Sequence, residues 1–339
     1  MKKLLALLLC AALCLSLAAC ASNTTTTETP AASTETAEAP AEEASSDAKQ
    51  YVVGICQLVQ HDALDAATNG FMDALEEALP GQVTFDLKNA SNDIPTCGTI
   101  VTGFVASNVD LILANATPAL QAAVAATDTI PILGTSVTEY GVALAIDGFD
   151  GTVGGNVSGT SDLAPLDQQA AMILELFPEA KNVGILYCSA EANSVYQADV
   201  VKTELEKSGV KVTVYTFADT NDVAAVTATA CEENDVLYIP TDNTAASCTE
   251  AINNVAEPAG VPIVAGEEGI CTGCGVATLS ISYYDLGVTT GKMAVKILTG
   301  ESDISEMPIE YFPQPVKKYN AAICETLGIT VPDDYVAIG

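Results

Sequence analysis

From Tyr51 onward the sequence alternates short apolar runs with longer amphipathic ones, and that rhythm limits the architectures open to the chain. Residues 51–56, 83–87, 110–114, 130–133 and 142–146 read as strands. Helices fall between them over 62–79, 94–107 and 118–127. The punctuation agrees: Pro80-Gly81 ends the first helix, and Pro118 sits at a first helical position. A Gly- and Asp-rich loop over 147–162 follows, and then a second series begins. Its helices are 167–177, 195–208, 222–233, 244–259 and 284–299. Its strands are 183–188, 210–217, 236–239, 261–265 and 275–280. Strand runs that are apolar throughout must be covered on both faces, so they belong to parallel sheets flanked by helices. Two such series in nearly 300 residues outgrow one small core. The expected fold is α/β, with two Rossmann-like lobes whose parallel sheets are joined by hinge crossings.

The first fifty residues have another character. Met1-Lys2-Lys3 is followed by an apolar run ending in Leu17-Ala18-Ala19-Cys20. This reads as a signal peptide over 1–19, with Cys20 as the lipidated residue of the mature protein. The run is shorter than the ~20 residues that span a bilayer as a helix. Residues 20–50 are Thr, Ala, Glu, Pro and Ser with almost no large apolar side chain, so they are expected to form a disordered tether. A lipid, a tether and a folded body place the work on the extracytoplasmic face of the cell membrane.

Composition removes several function classes. The net charge of −32 repels nucleic acid, which is bound by displacing counterions with cationic side chains. All twelve basic residues are lysines, so there is no guanidinium fork for an anion. Hydroxyls, backbone N–H groups, helix N-termini or lysine would have to replace it. No nucleophile elbow or P-loop is present, and the lone histidine, His61, has no evident triad. An enzyme is therefore not expected, nor a cofactor or metal. Cysteines 56, 97, 188, 231, 248, 271, 274 and 324 remain beyond Cys20. Cys56, Cys188 and Cys231 suit a core. The lone Cys271-Thr272-Gly273-Cys274 reads as a loop disulfide or free thiols ahead of a metal site.

In open parallel sheets, ligands bind beyond the carboxyl ends of the strands. Polar loops stand at those ends in both series: Gln57 and His61, Asn89, Thr117, then Ser189, Glu191, Asn193 and Ser194, Asp242, and Glu268. Facing loops make a cleft, shut by hinge motion over a solute. The hydroxyls of Thr117, Ser189 and Ser194 suit a carboxylate at helix starts. Asp242 and Glu268 suit an ammonium group, and Tyr187 and Tyr283 offer apolar faces. The plainer alternative is that these groups only cap helices, with Thr117, Asp242 and Asn243 as N-caps.

At these loops the chain resembles the tryptophan/tyrosine-type ABC substrate-binding proteins of Gram-positive bacteria. The matching stretches are 57–65, Ala116-Thr117-Pro118-Ala119, 155–162, 189–194, Pro240-Thr241-Asp242-Asn243, Gly266-Glu267-Glu268-Gly269 and 283–287. Gln60-His61-Asp62 stands where the family usually has Glu-His-Pro. The resemblance implies a type I periplasmic-binding fold with three hinge crossings. One lobe would take 51–160 with a segment returning at about 283–310. The other would take 161–282 with the tail at about 311–339. It also implies a monomer that captures a small solute, an amino acid of aromatic or apolar type, for a permease and ATPase. The alternatives are a sugar or nucleoside as solute, or a sensory receptor without transport. The absence of tryptophan counts against a stacked sugar ring.

Overall fold

The computed structural model describes residues 49–338, residue 313 excepted. The leader, Cys20 and all but the end of the tether lie outside the described residues. The first series forms β1 (Tyr51–Gln57), α1 (Asp62–Ala78), β2 (Val83–Asn89), α2 (Ile94–Ala106), β3 (Leu111–Asn115), α3 (Thr117–Ala126), β4 (Ile132–Val137), α4 (Tyr140–Ala143) and β5 (Val157–Ser161). The second forms α5 (Leu166–Leu176), β6 (Asn182–Cys188), α6 (Ala192–Lys207), β7 (Lys211–Phe217), α7 (Val223–Glu233), β8 (Val236–Ile239), α8 (Asn243–Ala246), α9 (Thr249–Ala259), β9 (Ile263–Ala265), α10 (Glu268–Cys274) and β10 (Ala277–Ser280). Then come α11 (Tyr283–Leu298), β11 (Glu310–Tyr311), β12 (Val316–Tyr319), α12 (Ala321–Leu327) and β13 (Val336–Ala337).

These strands make two sheets. One has the order β2-β1-β3-β4-β5-β11 and is parallel throughout. The other runs β7-β6-β8-β9-β10-β12-β13, parallel up to β10, with β12 antiparallel to β10. The chain passes from one lobe to the other after β5, after β10 and after β11.

Each sheet is apolar on both faces, as the continuous strand runs require. Val53, Ile55, Leu111 and Leu113 pack with Phe71 and Leu75 of α1 and Met293 of α11. Cys56, Ile112 and Ala114 point the other way, against Val101 and Phe104 of α2 and Leu120 of α3. In the second lobe Val183 and Ile185 meet Ile173 and Val201, while Leu186 and Ile239 meet Val223 and Ile252. Each large aliphatic side chain so buried contributes roughly 1.5–3 kcal/mol. The returning helix α11 lies along α1 at close range. A Cβ on Gly287 would stand 2.0 Å from the Ala67 carbonyl oxygen, so only glycine permits this approach.

Four expectations are corrected. Residues 142–146 are not a strand: Glu139 caps α4, and the buried Tyr140 hydroxyl donates to Thr160 O at 3.0 Å. The fifth strand is instead β5, inside the stretch read as a Gly/Asp loop. Its Val-Ser-Gly-Thr-Ser sequence hides a buried strand because the hydroxyls are paired inside the protein. Ser158 donates to Met307 O at 3.0 Å, Thr160 Oγ1 pairs with Thr290 Oγ1 at 2.7 Å, and Ser161 donates to Thr138 O at 2.8 Å. Residues 244–259 form two helices, α8 and α9, broken where Ser247 turns its hydroxyl back onto Thr244 O at 2.7 Å. Cys271 and Cys274 lie on helix α10, not in a loop.

Candidate functional site

The carboxyl ends of the two sheets face each other, and two direct hydrogen bonds join them. His61 Nε2, just before α1, lies 3.3 Å from Asn243 Oδ1 at the start of α8. Asn92 Nδ2, between β2 and α2, donates to Thr244 Oγ1 at 3.1 Å. Beside these bonds is a cavity of about 200 Å³, lined from one lobe by Leu58, Asn92 and Pro118 and from the other by Cys188, Glu191 and Thr244. A second cavity of about 360 Å³ runs between Asp62 and Ala66 of α1 and Glu267 and Glu268 at the start of α10, reaching the Tyr283 crossing.

The second lobe's wall is built around a buried carboxylate. Glu191 precedes α6, and its Oε2 accepts from Asn243 N at 3.0 Å, Asn243 Nδ2 at 2.6 Å and Asn193 Nδ2 at 3.2 Å. Its Oε1 accepts from Thr244 N and Thr244 Oγ1, both at 2.8 Å. Asp242, fully enclosed, caps α8 by accepting from Ala245 N at 2.7 Å and also takes Cys188 N at 2.8 Å. Burial and the neighbouring Glu191 charge push its carboxyl well above the ordinary range, against those two bonds. Glu267, the cap of α10, is raised to about 7 by burial. Asp162, at the first crossing, is raised to about 6 by burial although the Tyr283 hydroxyl donates to it at 3.0 Å. Three buried acids thus stand where a positive group would relieve them.

The first lobe's wall is of another kind. Asn115 ends β3, and Ala116 then adopts φ 93° before α3 begins at Thr117. Ser136, at the end of the adjacent β4, has φ 53°. Two non-glycine residues held in this region cost of order 1–3 kcal/mol each, a cost the surrounding core has to hold in place. They set a buried threonine, a buried serine and a helix N-terminus at one strand edge. Polar atoms buried along the two walls without a partner among the described residues include Ser136 Oγ, His61 Nδ1, Asn193 Oδ1 and Asp162 Oδ1. Burial draws the His61 imidazole below its ordinary range, opposed by Asn243, Glu191, Asp65 and Asp62.

The sequence-read residues therefore separate into groups. Glu191, Asn193 and Asp242 come together, and His61 reaches them from the other lobe; Thr117 holds the opposite edge. Ser194 is buried beside them with its hydroxyl 3.4 Å from Thr241 O. Gln57 is turned into its own lobe, donating to Asp65 at 2.6 Å and Val59 O at 2.9 Å while accepting from Thr68 at 2.7 Å. Asn89 is exposed and accepts from Ser91 N at 2.7 Å; Ser189 is exposed with its hydroxyl on Phe217 O. Glu268 pairs with Lys318 on the rim at 2.5 Å. Of the proposed caps, Asp242 fills that role, whereas Thr117 and Asn243 are the first helical residues. Tyr187 packs in the lobe core, and Tyr283 is tied to Asp162.

Asn92, Ser136, Asp162 and Thr244 are residues that sequence reasoning did not put in the site; Asn243 and Glu267 stood in its cleft loops without a ligand role. Asn243 and Thr244 were signalled by adjoining Asp242 in one turn; Ser136 had no signal. All eight described cysteines are free. Cys271 turns its thiol to the carbonyl of Gly275, just past α10, and Cys274 to that of Ile270, and burial pushes both up, away from the reactive thiolate. Among the described residues no group of His, Cys, Asp and Glu is placed to hold a metal ion.

A family model described as ABC transporter substrate binding protein matches residues 52–338. The chain belongs to this family. Substrate-binding proteins take up a small solute outside the cytoplasm and pass it to the permease and ATPase of the transporter. No described helix of this substrate-binding protein is long and apolar enough to cross a membrane. It is 36% identical over 272 residues to a tyrosine-binding protein of Clostridioides difficile, covering 79% of this chain and 78% of the relative. An ABC domain from Streptococcus pneumoniae in complex with L-Trp superposes with a TM-score of 0.80 at 32% identity, covering 84% of this chain and 97% of that one. The ligand-free, open structure of a Clostridium difficile substrate-binding protein with adhesive properties gives 0.65 at 36% identity, covering 85% and 99%. The substrate-binding protein described here thus lies nearer in shape to the complex than to the open form, although its sequence is nearer to the open one. That agrees with the hydrogen bonds joining its lobes.

Proposed function

We propose that the solute is an amino acid, with tyrosine and tryptophan as the first candidates. The observation that carries this reading is the division of polar chemistry across the cleft. Buried acids line the second lobe's wall, while hydroxyls and a helix N-terminus line the first lobe's wall. An ammonium group on Asp242 would stabilise the ionised carboxylate that burial and Glu191 disfavour. A carboxylate at Thr117 and Ser136 would meet donors without arginine. The tyrosine-binding relative and the L-Trp complex support the same class. The protein works as a monomer tethered through a lipid on Cys20 and releases its solute chemically unchanged.

Thermal-shift and calorimetric titration of the purified folded part tests the class. L-tyrosine or L-tryptophan raises the melting temperature by mass action. If all twenty amino acids leave it unmoved while a nucleoside or sugar raises it, the amino-acid reading is wrong. Replacing Cys20 by alanine releases the protein from membranes into the medium.

A further inference from the structure

The same buried carboxylate orients both hydrogen bonds that join the lobes. A carboxylate of Glu191 only accepts, so the Asn243 side chain must turn its nitrogen toward it, at 2.6 Å. The amide oxygen is then the atom facing His61, 3.3 Å from Nε2. An oxygen with lone pairs alone requires the proton on Nε2, which leaves Nδ1 with a lone pair. In parallel, Thr244 spends its hydroxyl proton on Glu191 at 2.8 Å and so accepts from Asn92 at 3.1 Å. His61 Nδ1 is itself buried, with no partner among the described residues. The acids Asp62 and Asp65 on α1 and Glu191 across the cleft are its charged neighbours. Since His61 and Asn243 belong to different lobes, the relay is complete only when the cleft is shut.

We propose, resting on the amino-acid reading for the nature of the donor, that His61 Nδ1 is an acceptor for the solute's N–H or ammonium group, formed on closure, and that Glu191 is the positioning residue that creates it through Asn243. A buried acceptor left unmatched disfavours the closed state, and a donor on the solute removes that penalty. The imidazole thereby selects for a solute that donates at this point.

His61 is the sole histidine, so ¹⁵N-histidine labelling gives one pair of ring signals. Without solute the ring is expected to mix tautomers. Saturation with L-tyrosine or L-tryptophan should give protonated Nε2 and a hydrogen-bonded lone pair on Nδ1. Glu191→Ala removes the acceptor that fixes the Asn243 amide, so either its oxygen or its nitrogen can face the ring. The bound-state proton is then shared between Nε2 and Nδ1, and affinity falls about tenfold, the worth of one hydrogen bond. Should that variant fail to fold, Asn243→Ala leaves Glu191 in place and should give mixed tautomers in the complex with a similar loss. In the unsubstituted protein, binding with Nδ1 protonated, or with its signal unmoved by solute, overturns the relay while the amino-acid reading stands. If neither amino acid binds by calorimetry, that reading falls and the assigned donor falls with it.

Discussion

The two lobes are made alike and face the cleft differently. Both put a parallel sheet between helices and present its carboxyl edge. The first lobe's edge is shaped by backbone: Ala116 and Ser136 sit at positive φ, and the exposed chemistry is hydroxyl and helix N-terminus. The second lobe's edge is shaped by charge: Glu191, Asp242 and Glu267 are buried and held by backbone N–H groups and short helix starts. On the proposed reading, one architecture used twice would grip the two ends of a zwitterion without arginine.

The sharpest way to break the contrast is to neutralise one wall. Asp242→Asn should weaken amino-acid binding by about 2–3 kcal/mol, roughly 100-fold, because it leaves a buried ammonium without its charge partner. Calorimetry decides it, and an unchanged affinity would move the ammonium elsewhere. The matching change on the other wall, Thr117→Val, removes one neutral hydroxyl and should cost only about 1 kcal/mol of affinity. Equal losses at the two positions would erase the proposed division. Ser136→Gly should act in opposite directions on two measurements. Relief of the positive φ and of an unpartnered buried hydroxyl should raise stability to urea by about 1 kcal/mol, while affinity falls.

A separate test of the buried acids is the dependence of stability on pH. Glu267 and Asp162 have folded-state values of about 7 and about 6, above the ordinary carboxylate range. The folded protein therefore holds protons that the unfolded chain has released. Their contribution is full below about pH 4 and is lost as pH rises through 6 to 7. The melting temperature of the solute-free protein should fall over that window, and Glu267→Gln should flatten the slope. A slope unchanged in that variant would trace the drift to the general negative charge instead.

Much of the fold was legible because it is written in short-range patterns. Apolar strand runs and amphipathic helices declared two parallel sheets, and Pro80-Gly81 and Pro118 marked helix boundaries. Strand β5 escaped because its buried side chains are hydroxyls, paired with Met307, Thr290 and Thr138, and no hydropathy pattern shows a pairing. The site followed the same rule. Glu191, Asn193, Asp242, Thr117 and His61 could be named because they follow strands. Gln57 also stands at a strand end, yet Asp65 and Thr68, a helix turn apart on α1, capture it inside its own lobe.

By itself the sequence determined two α/β lobes, the polar loops at their strand ends and the absence of any guanidinium for an anion. Only the tertiary structure decided which of those polar groups meet. Glu191 finds Asn243 across 52 residues, and Asn243 finds His61 across 182. Local propensity fixes where a side chain starts, but its partner is set by how the sheets pack and how the lobes close.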